Sequence, residues 1–355
     1  MVHQNKYGLF WENHFEECEK TLENKSFHLK KIDCMTIFLD KIFPSHCLIE
    51  GENLLVLDCL NKTLRNSVDV IYIDPPYNTG AKNWIYNNDF KTKKNSFRHS
   101  KWLSFMHKRL IIAKPLLKKN GVLICAINEK ELAPLVCLLE QIFTNKEIHI
   151  VSIVHNPGGK QGKNISYTHE YSVFVIPKNK KTFLLRPLKN SEMQISQLRN
   201  WGGESDRRYG KNTFYPIIVH SNAIVGFGDV CPESFHPGAA NIKKSNGAIY
   251  VYPIDKNGVE KKWRYQRKTI EEITENLSIS RNHDGLIEIK IKKNEASYKS
   301  FWNSSRYDAS TYGTKLLRGI LKDCMFDFPK SLWTTYDCLD AILRHQKKAV
   351  VLDFF

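Results

Sequence analysis

An aspartate, two prolines and a tyrosine stand in a row at Asp74-Pro75-Pro76-Tyr77, and this set suits an exocyclic amine on a flat ring. Such an amine, that of adenine for example, is a poor nucleophile because its lone pair is delocalised into the ring. It has two hydrogens to give. Asp74 can accept one and the Pro75 carbonyl the other, since proline removes a competing donor and fixes the backbone. Drawing on both hydrogens favours the tetrahedral, nucleophilic form of the nitrogen. Tyr77 offers a face on which a base that has left its helix can stack. An ordinary strand-to-loop turn would also use Pro-Pro as a stop, and the residues on either side weigh against that bland alternative.

Those flanking residues predict the frame. Val68, Val70, Ile71 and Ile73 form an apolar run of the kind buried in a parallel sheet, and Asn78-Thr79-Gly80 follows as a turn. Open α/β sheets bind ligands at the carboxyl ends of their strands. Further on, Trp102, Phe105, Met106, Leu110, Ala113, Leu116 and Leu117 mark an amphipathic helix over 101–119, strained at Pro115 and ended by Gly121. Strands are expected at 122–127, 148–154 and 171–176, with a helix over 129–143. Strand, helix, strand, helix implies an α/β, doubly wound, Rossmann-like sheet.

Composition narrows the class. A hydrophobic content of 42% over 355 residues allows a sizeable core and excludes a disordered chain. A formal charge of +16 suits a polyanionic partner, although merely basic proteins share it. The nine cysteines include no CxxC pair and no His–Cys cluster with zinc spacing, so reduced thiols and no metal site are expected. No 18-residue apolar run reads as a membrane span and no apolar leader is visible, which makes a cytoplasmic protein the plain expectation.

The texture changes after residue 180. Residues 181–300 hold 20 Lys and Arg against 13 Asp and Glu, an enrichment too modest to carry nucleic-acid binding. Shape says more: short alternating runs at 248–254, 261–266, 277–280 and 286–291 are separated by turn signals at Lys256-Asn257-Gly258 and His283-Asp284-Gly285. A helix over 332–343 and a strand over 349–355 close the chain. At the other end, Phe27, Ile32, Ile37, Leu39 and Ile42 give residues 1–46 a helical spacing.

Taken together, the motifs resemble the type III modification (Mod) subunits of bacterial restriction systems, DNA adenine methyltransferases with the catalytic motif upstream of the cofactor motif. DPPYNTG with Ile85–Phe90 (IYNNDF) is similar to the family's DPPYNTG…YNDNF, and Leu48–Leu54 (LIEGENL) to its IEGDNL. His169–Val175 (HEYSVFV) resembles HEYILVY, and Leu198–Val219 resembles the WGG…FYPI block. Phe326–Lys330 (FDFPK) and Ala349–Phe355 (AVVLDFF) match the approach to the family's first motif. The resemblance covers nearly everything from Cys47 onward.

This resemblance implies four regions: a mostly helical arm over 1–46, the catalytic half over 47–180, a β-rich target-recognition insertion over 181–300, and a return to the methyltransferase fold over 301–355. It implies catalytic roles for Asp74, Pro75, Pro76 and Tyr77, with His169 and Tyr171 flanking a flipped base. S-adenosylmethionine would be met by Glu52 (where the family usually has Asp), Asn78, Phe328, Pro329, Lys330, Asp353, Phe354 and Phe355. Arg207, Arg208, Arg264, Arg267 and Lys268 are the candidates for reading bases of double-stranded DNA, and such residues are more often phosphate contacts or solvated charges. Implied partners are a second copy of the chain and a type III restriction (Res) subunit, in the bacterial cytoplasm.

In the family VLDFF runs on into a glycine-rich FxGxG loop, and this chain stops at Phe355. The sequence therefore reads as a methyltransferase sheet incomplete at its carboxyl terminus, expected by itself to hold the cofactor weakly. The alternative function is an inactive remnant, or a DNA-binding half that needs a separate carboxyl-terminal fragment.

Overall fold

The computed structural model describes residues 9–24, 26–32, 45–79, 97–159, 164–178, 184–188, 194–322, 326, 328–346 and 348–355. Gly80, the 85–90 segment, Ile37, Leu39 and Ile42 lie outside them. The chain forms two compact units, one of residues 1–184 and 298–355, the other of residues 185–297.

The first unit begins with α1 (Glu17–Asn24), α2 (Asn53–Thr63), β1 (Val68–Ile73), α3 (Arg98–Ala113), β2 (Leu117–Ile127), α4 (Leu132–Ile142), β3 (Lys146–Val154) and β4 (His169–Pro177). The second unit is β-rich. It runs through β5 (Leu185–Pro187), β6 (Gln194–Gln197), β7 (Ile217–His220), β8 (Ala223–Phe227), β9 (Asn241–Lys243) and β10 (Ile249–Val251) to α5 (Arg267–Ile270), β11 (Leu277–Arg281), β12 (Ile287–Lys293) and β13 (Glu295–Ser297). The chain then re-enters the first unit as β14 (Phe301–Trp302), α6 (Leu316–Ile320), α7 (Leu332–Leu343) and β15 (Val351–Leu352).

The fold class is α/β. Six strands form one mixed, mostly parallel sheet in the order β14-β3-β4-β2-β1-β15. β1 pairs in parallel with β2 and β15, and β14 with β3, while β4 runs antiparallel to both β2 and β3. The doubly wound expectation holds in its layering, with helices on both faces, but β4 reverses the strand direction within the sheet.

Side-chain alternation along β1 separates the two faces. Ile71 and Ile73 pack with Leu57, Leu103, Met106, Leu110 and Leu138 under α2, α3 and α4, whereas Val70 and Tyr72 pack with Ile124, Phe174 and Cys338 under α7. Burial on both faces accounts for the near-continuous apolar strands. Among the described residues no helix is long and apolar enough to cross a membrane.

Several boundaries differ from the sequence expectation. The helix over 101–119 stops at Ala113, because Pro115 enters a short 3-10 turn over Lys114–Leu116 and β2 already starts at Leu117. Gly121 sits inside β2, where a Cβ would meet the Val68 carbonyl at 2.9 Å, so close strand approach and not a helix stop requires glycine there. Residues 261–266 form only isolated bridges, Asp206 with Lys261 and Arg199 with Trp263. Of the strand expected over 349–355 only Val351–Leu352 pair, against Val70 and Ile71. The helix expected over 332–343 appears as α7.

In the second unit β8-β7-β10-β9 and β11-β12-β6 form antiparallel sheets around Leu198, Tyr215, Ile217, Trp263 and Ile289. β5 and β13 pair with each other, Leu185 opposite Ser297.

Candidate active site

The two apolar faces of β1 dictate where Asp74 goes: continuing the alternation, it follows Val70 and Tyr72 onto the α7 side. There the Lys330 ammonium lies 3.4 Å from Asp74 Oδ1 and 2.6 Å from Glu170 Oε2, and it also donates to the Tyr77 hydroxyl. Tyr77 donates in turn to Glu170 at 3.1 Å, and the lysine nitrogen stands 4.5 Å from the centre of its ring. Four polar groups from three segments thus meet at the end of β1.

The reversal at β4 explains how Glu170 joins them. Because β4 runs antiparallel to β2, with Ile127 opposite Tyr171, its amino end lies at the carboxyl end of β2. Glu170 is 5% exposed and shares its strand face with Ser172 and Phe174. His169 and Tyr171 take the opposite face, where the imidazole Nε2 and the phenol lie 3.0 Å apart with their rings edge to face.

Electrostatics follow from this packing. The Asp74 side chain is 36% exposed at the rim, yet its surroundings desolvate it enough to raise its carboxyl, against the pull of Lys330. Burial opposes the charge on Lys330, but Glu170 and Asp74 outweigh it and hold the ammonium above its ordinary range. Burial, with the charges of Glu170 and Asp74, pushes the Tyr77 phenol well up, so it stays neutral.

The turn after Asp74 is fixed from the other side of the sheet. The Trp102 indole donates to the Pro76 carbonyl at 2.7 Å. Asn78 is buried and left-handed at φ 50°, and its amide donates to Glu131 Oε1 at 2.6 Å and to the Arg98 carbonyl at 3.3 Å. The sequence shows Trp102 only as part of an apolar stripe, and it gives no separate role to Glu131 in the helix expected over 129–143 or to Glu170 in the HEYSVFV segment. For Glu170 a signal existed, namely a carboxylate at a buried register position of an otherwise apolar strand.

The remaining residues divide by location. At the carboxyl end of β15, beside that of β1, Asp353 accepts from Phe355 N at 3.2 Å. It is open to solvent on one side, but desolvation on the other pushes its carboxyl up to about 6. Phe354 is in the core, and Phe355 packs on Phe354 and Phe105. Glu52 caps α2 through Leu54 N and pairs with the fully buried Arg109 at 2.7 Å. Arg109 also grips Glu16 at 2.9 Å and Asn53 at 2.6 Å, and Asn53 donates to the Phe354 carbonyl at 2.9 Å. Glu16, Cys18 and Glu52 come within metal-ligand reach of one another, but Arg109 already answers both carboxylates. Phe328 is 87% exposed, away from these contacts, with φ 59°.

The basic residues singled out belong to the second unit. Arg207 donates to the carbonyls of Cys231, Pro232 and Phe235 and pairs with Glu260, and Arg267 donates to those of Phe227 and Gly228 and pairs with Glu271. Both hold loops together. Arg264 donates to Ser196, whereas Arg208 is 74% exposed in its side chain and Lys268 is exposed.

An acidic side chain, two prolines and an aromatic thus follow β1, between β2 and β15 in a mixed α/β sheet. Residues 68–355 match the DNA methylase family of N6/N4 type, and the chain belongs to that family. It is 29% identical over 359 residues to the type III restriction-modification enzyme EcoPI Mod subunit of Escherichia phage P1, covering 87% of this chain and 53% of that one. It is 27% identical over 366 residues to the type II methyltransferase M.KpnI of Klebsiella pneumoniae, covering 97% and 82%. The chain therefore spans about half the length of the phage Mod subunit. Similar solved structures include the M1.HpyAVI-SAM complex (15% identity, TM-score 0.27, 39% of this chain and 58% of that one). Another is TTHA0409 from Thermus thermophilus complexed with S-adenosyl-L-methionine (15%, TM-score 0.25, 40% and 55%).

Proposed function

We propose that the protein transfers a methyl group from S-adenosylmethionine to the exocyclic amine of adenine in double-stranded DNA, as the modification subunit of a type III restriction-modification system. The observation that carries this reading is the Asp74 carboxylate, at the end of β1, over a third open to solvent and paired on one side with Lys330. A flipped adenine would give one amine hydrogen to Asp74 and the other to the Pro75 carbonyl. The Pro76 carbonyl accepts from Trp102. A carboxyl raised by burial is a better base than an ordinary one, so Asp74 suits the proton released as the amine becomes methylated.

The donor set at the end of β15 fits the cofactor. Asp353 uses one of about four acceptor positions of a carboxylate on Phe355 N, which leaves capacity for a cationic or hydroxyl group. Phe354 and Phe355 supply aromatic surface beside it. Bound there, S-adenosylmethionine would supply an electrophilic methyl on a positively charged sulfur. Asn78 lies in the same turn as Asp74 and is proposed to shape it beside the cofactor, its own amide being held by Glu131, while Glu52 is engaged by Arg109.

The type III assignment draws on the quoted motifs and on the phage Mod subunit, and it makes a second copy and a Res subunit the proposed partners. The second unit is the proposed target-recognition region, with Arg208 and Lys268 its most accessible basic residues among those named. The test is incorporation of labelled methyl into duplex DNA at saturating S-adenosylmethionine, followed by nucleoside analysis. The expected product is N6-methyladenine, lost by about 10²–10⁴-fold in Asp74→Ala. N4-methylcytosine as the product would overturn the adenine assignment, and an Asp74→Ala variant of full activity would overturn the site.

A further inference from the structure

Glu131 breaks a local rule. It occupies the N-cap of α4, a position that favours short polar side chains able to bond the helix's own amides. Its carboxylate makes no such bond. Instead Oε1 accepts from Asn78 Nδ2 at 2.6 Å, 53 residues back in the chain, and faces His99 Nδ1 at 2.8 Å. The side chain is 0% exposed, and among the described residues Oε2 has no hydrogen-bond partner.

A carboxylate held this way is expensive to bury, and it makes no hydrogen bond to the amides of the helix it begins. What it does secure is Asn78, a buried left-handed residue whose side-chain amide it holds at 2.6 Å. Asn78 closes the turn that opens with Asp74 and Pro75. We propose that Glu131 is a positioning residue that clamps the Asp74–Asn78 turn through the Asn78 amide, so that the Asp74 carboxylate and the Pro75 carbonyl are presented in one fixed arrangement. The catalytic consequence of the clamp rests on the methyl-transfer reading, but the clamp itself does not.

The experiment is amide hydrogen exchange on the full chain, read without DNA or cofactor. Glu131→Ala should speed exchange at the buried Asn78 backbone amide by about tenfold or more while the Val70–Ile73 amides keep their rates. Glu131→Gln should keep exchange slow, because its amide oxygen still accepts from Asn78. Glycine takes φ 50° without a side-chain tether, so on an Asn78→Gly background Glu131→Ala should add nothing. Unchanged exchange in Glu131→Ala, or the same increment with and without Asn78→Gly, would overturn the clamp. In the methylation assay Glu131→Ala should lower kcat by about 10²-fold with little change in KM for the cofactor. Full methylation by Asp74→Ala overturns the reading of Asp74, whereas unchanged exchange in Glu131→Ala overturns the clamp.

Discussion

The indole Nε1 of Trp102 donates to the Pro76 carbonyl at 2.7 Å, tying α3 to the turn after β1. Trp102 is 1% exposed, so no water takes the place of this bond when the N–H is removed. Trp102→Phe should destabilise the first unit by about 2 kcal/mol through the orphaned carbonyl and the lost ring volume. Urea unfolding of the two proteins measures it. A variant as stable as the parent would show that the bond does not hold the turn.

Lys330 neutralises Glu170 from 2.6 Å, and the Glu170 side chain is only 7% exposed. Lys330→Met would leave a buried carboxylate without its cation, at a loss of about 3 kcal/mol. Adding Glu170→Gln should restore most of that, since the uncompensated charge is then gone. A double-mutant cycle by chemical unfolding tests the pair, and strictly additive losses would contradict the coupling.

Gly313 has room for hydrogen only. A Cβ there would stand 2.7 Å from the Pro329 carbonyl and 2.9 Å from that of Lys330, both rigid backbone. Gly313→Ala should therefore displace the Pro329–Lys330 segment and lower stability by about 1–3 kcal/mol. Differential scanning calorimetry reads the loss.

The pH dependence of stability has a defined sign at Asp353. Its carboxyl rises from 3.8 to about 6 on folding, so the folded chain prefers the protonated form. The stability it contributes is complete below pH 3.8 and disappears as pH climbs through about 6. Asp353→Asn removes the charge, so the variant should melt above the parent at about pH 8 and converge with it near pH ~4. Solvent on its open side keeps the difference small. A difference of constant size across that range would refute the assignment.

Much of the frame was legible in local pattern. The apolar run before Asp74 forms β1, and the spacing over 332–343 forms α7, because both are set by burial of contiguous residues. The end of α3 was misplaced because the apolar stripe continues through Leu116 and Leu117, which are buried as a turn and a strand and not as helix. The partners of the turn were hidden for a different reason. Glu131 and Glu170 reach Asn78 and Tyr77 across 53 and 93 residues, and spacing along a chain carries no trace of such contacts. Lys330, which pattern alone leaves as a solvated charge, is drawn inside by the two carboxylates that await it.

The second unit enters and leaves through neighbouring backbone positions, with Leu185 paired to Ser297 and Tyr298 N donating to the Leu184 carbonyl at 3.0 Å. With its two ends so close together, a stretch of 113 residues can be excised at two adjacent joints at little cost in chain closure. A chain closed across those joints, with residues 185–297 removed, is expected to keep its six-stranded sheet, which circular dichroism and thermal melting would read.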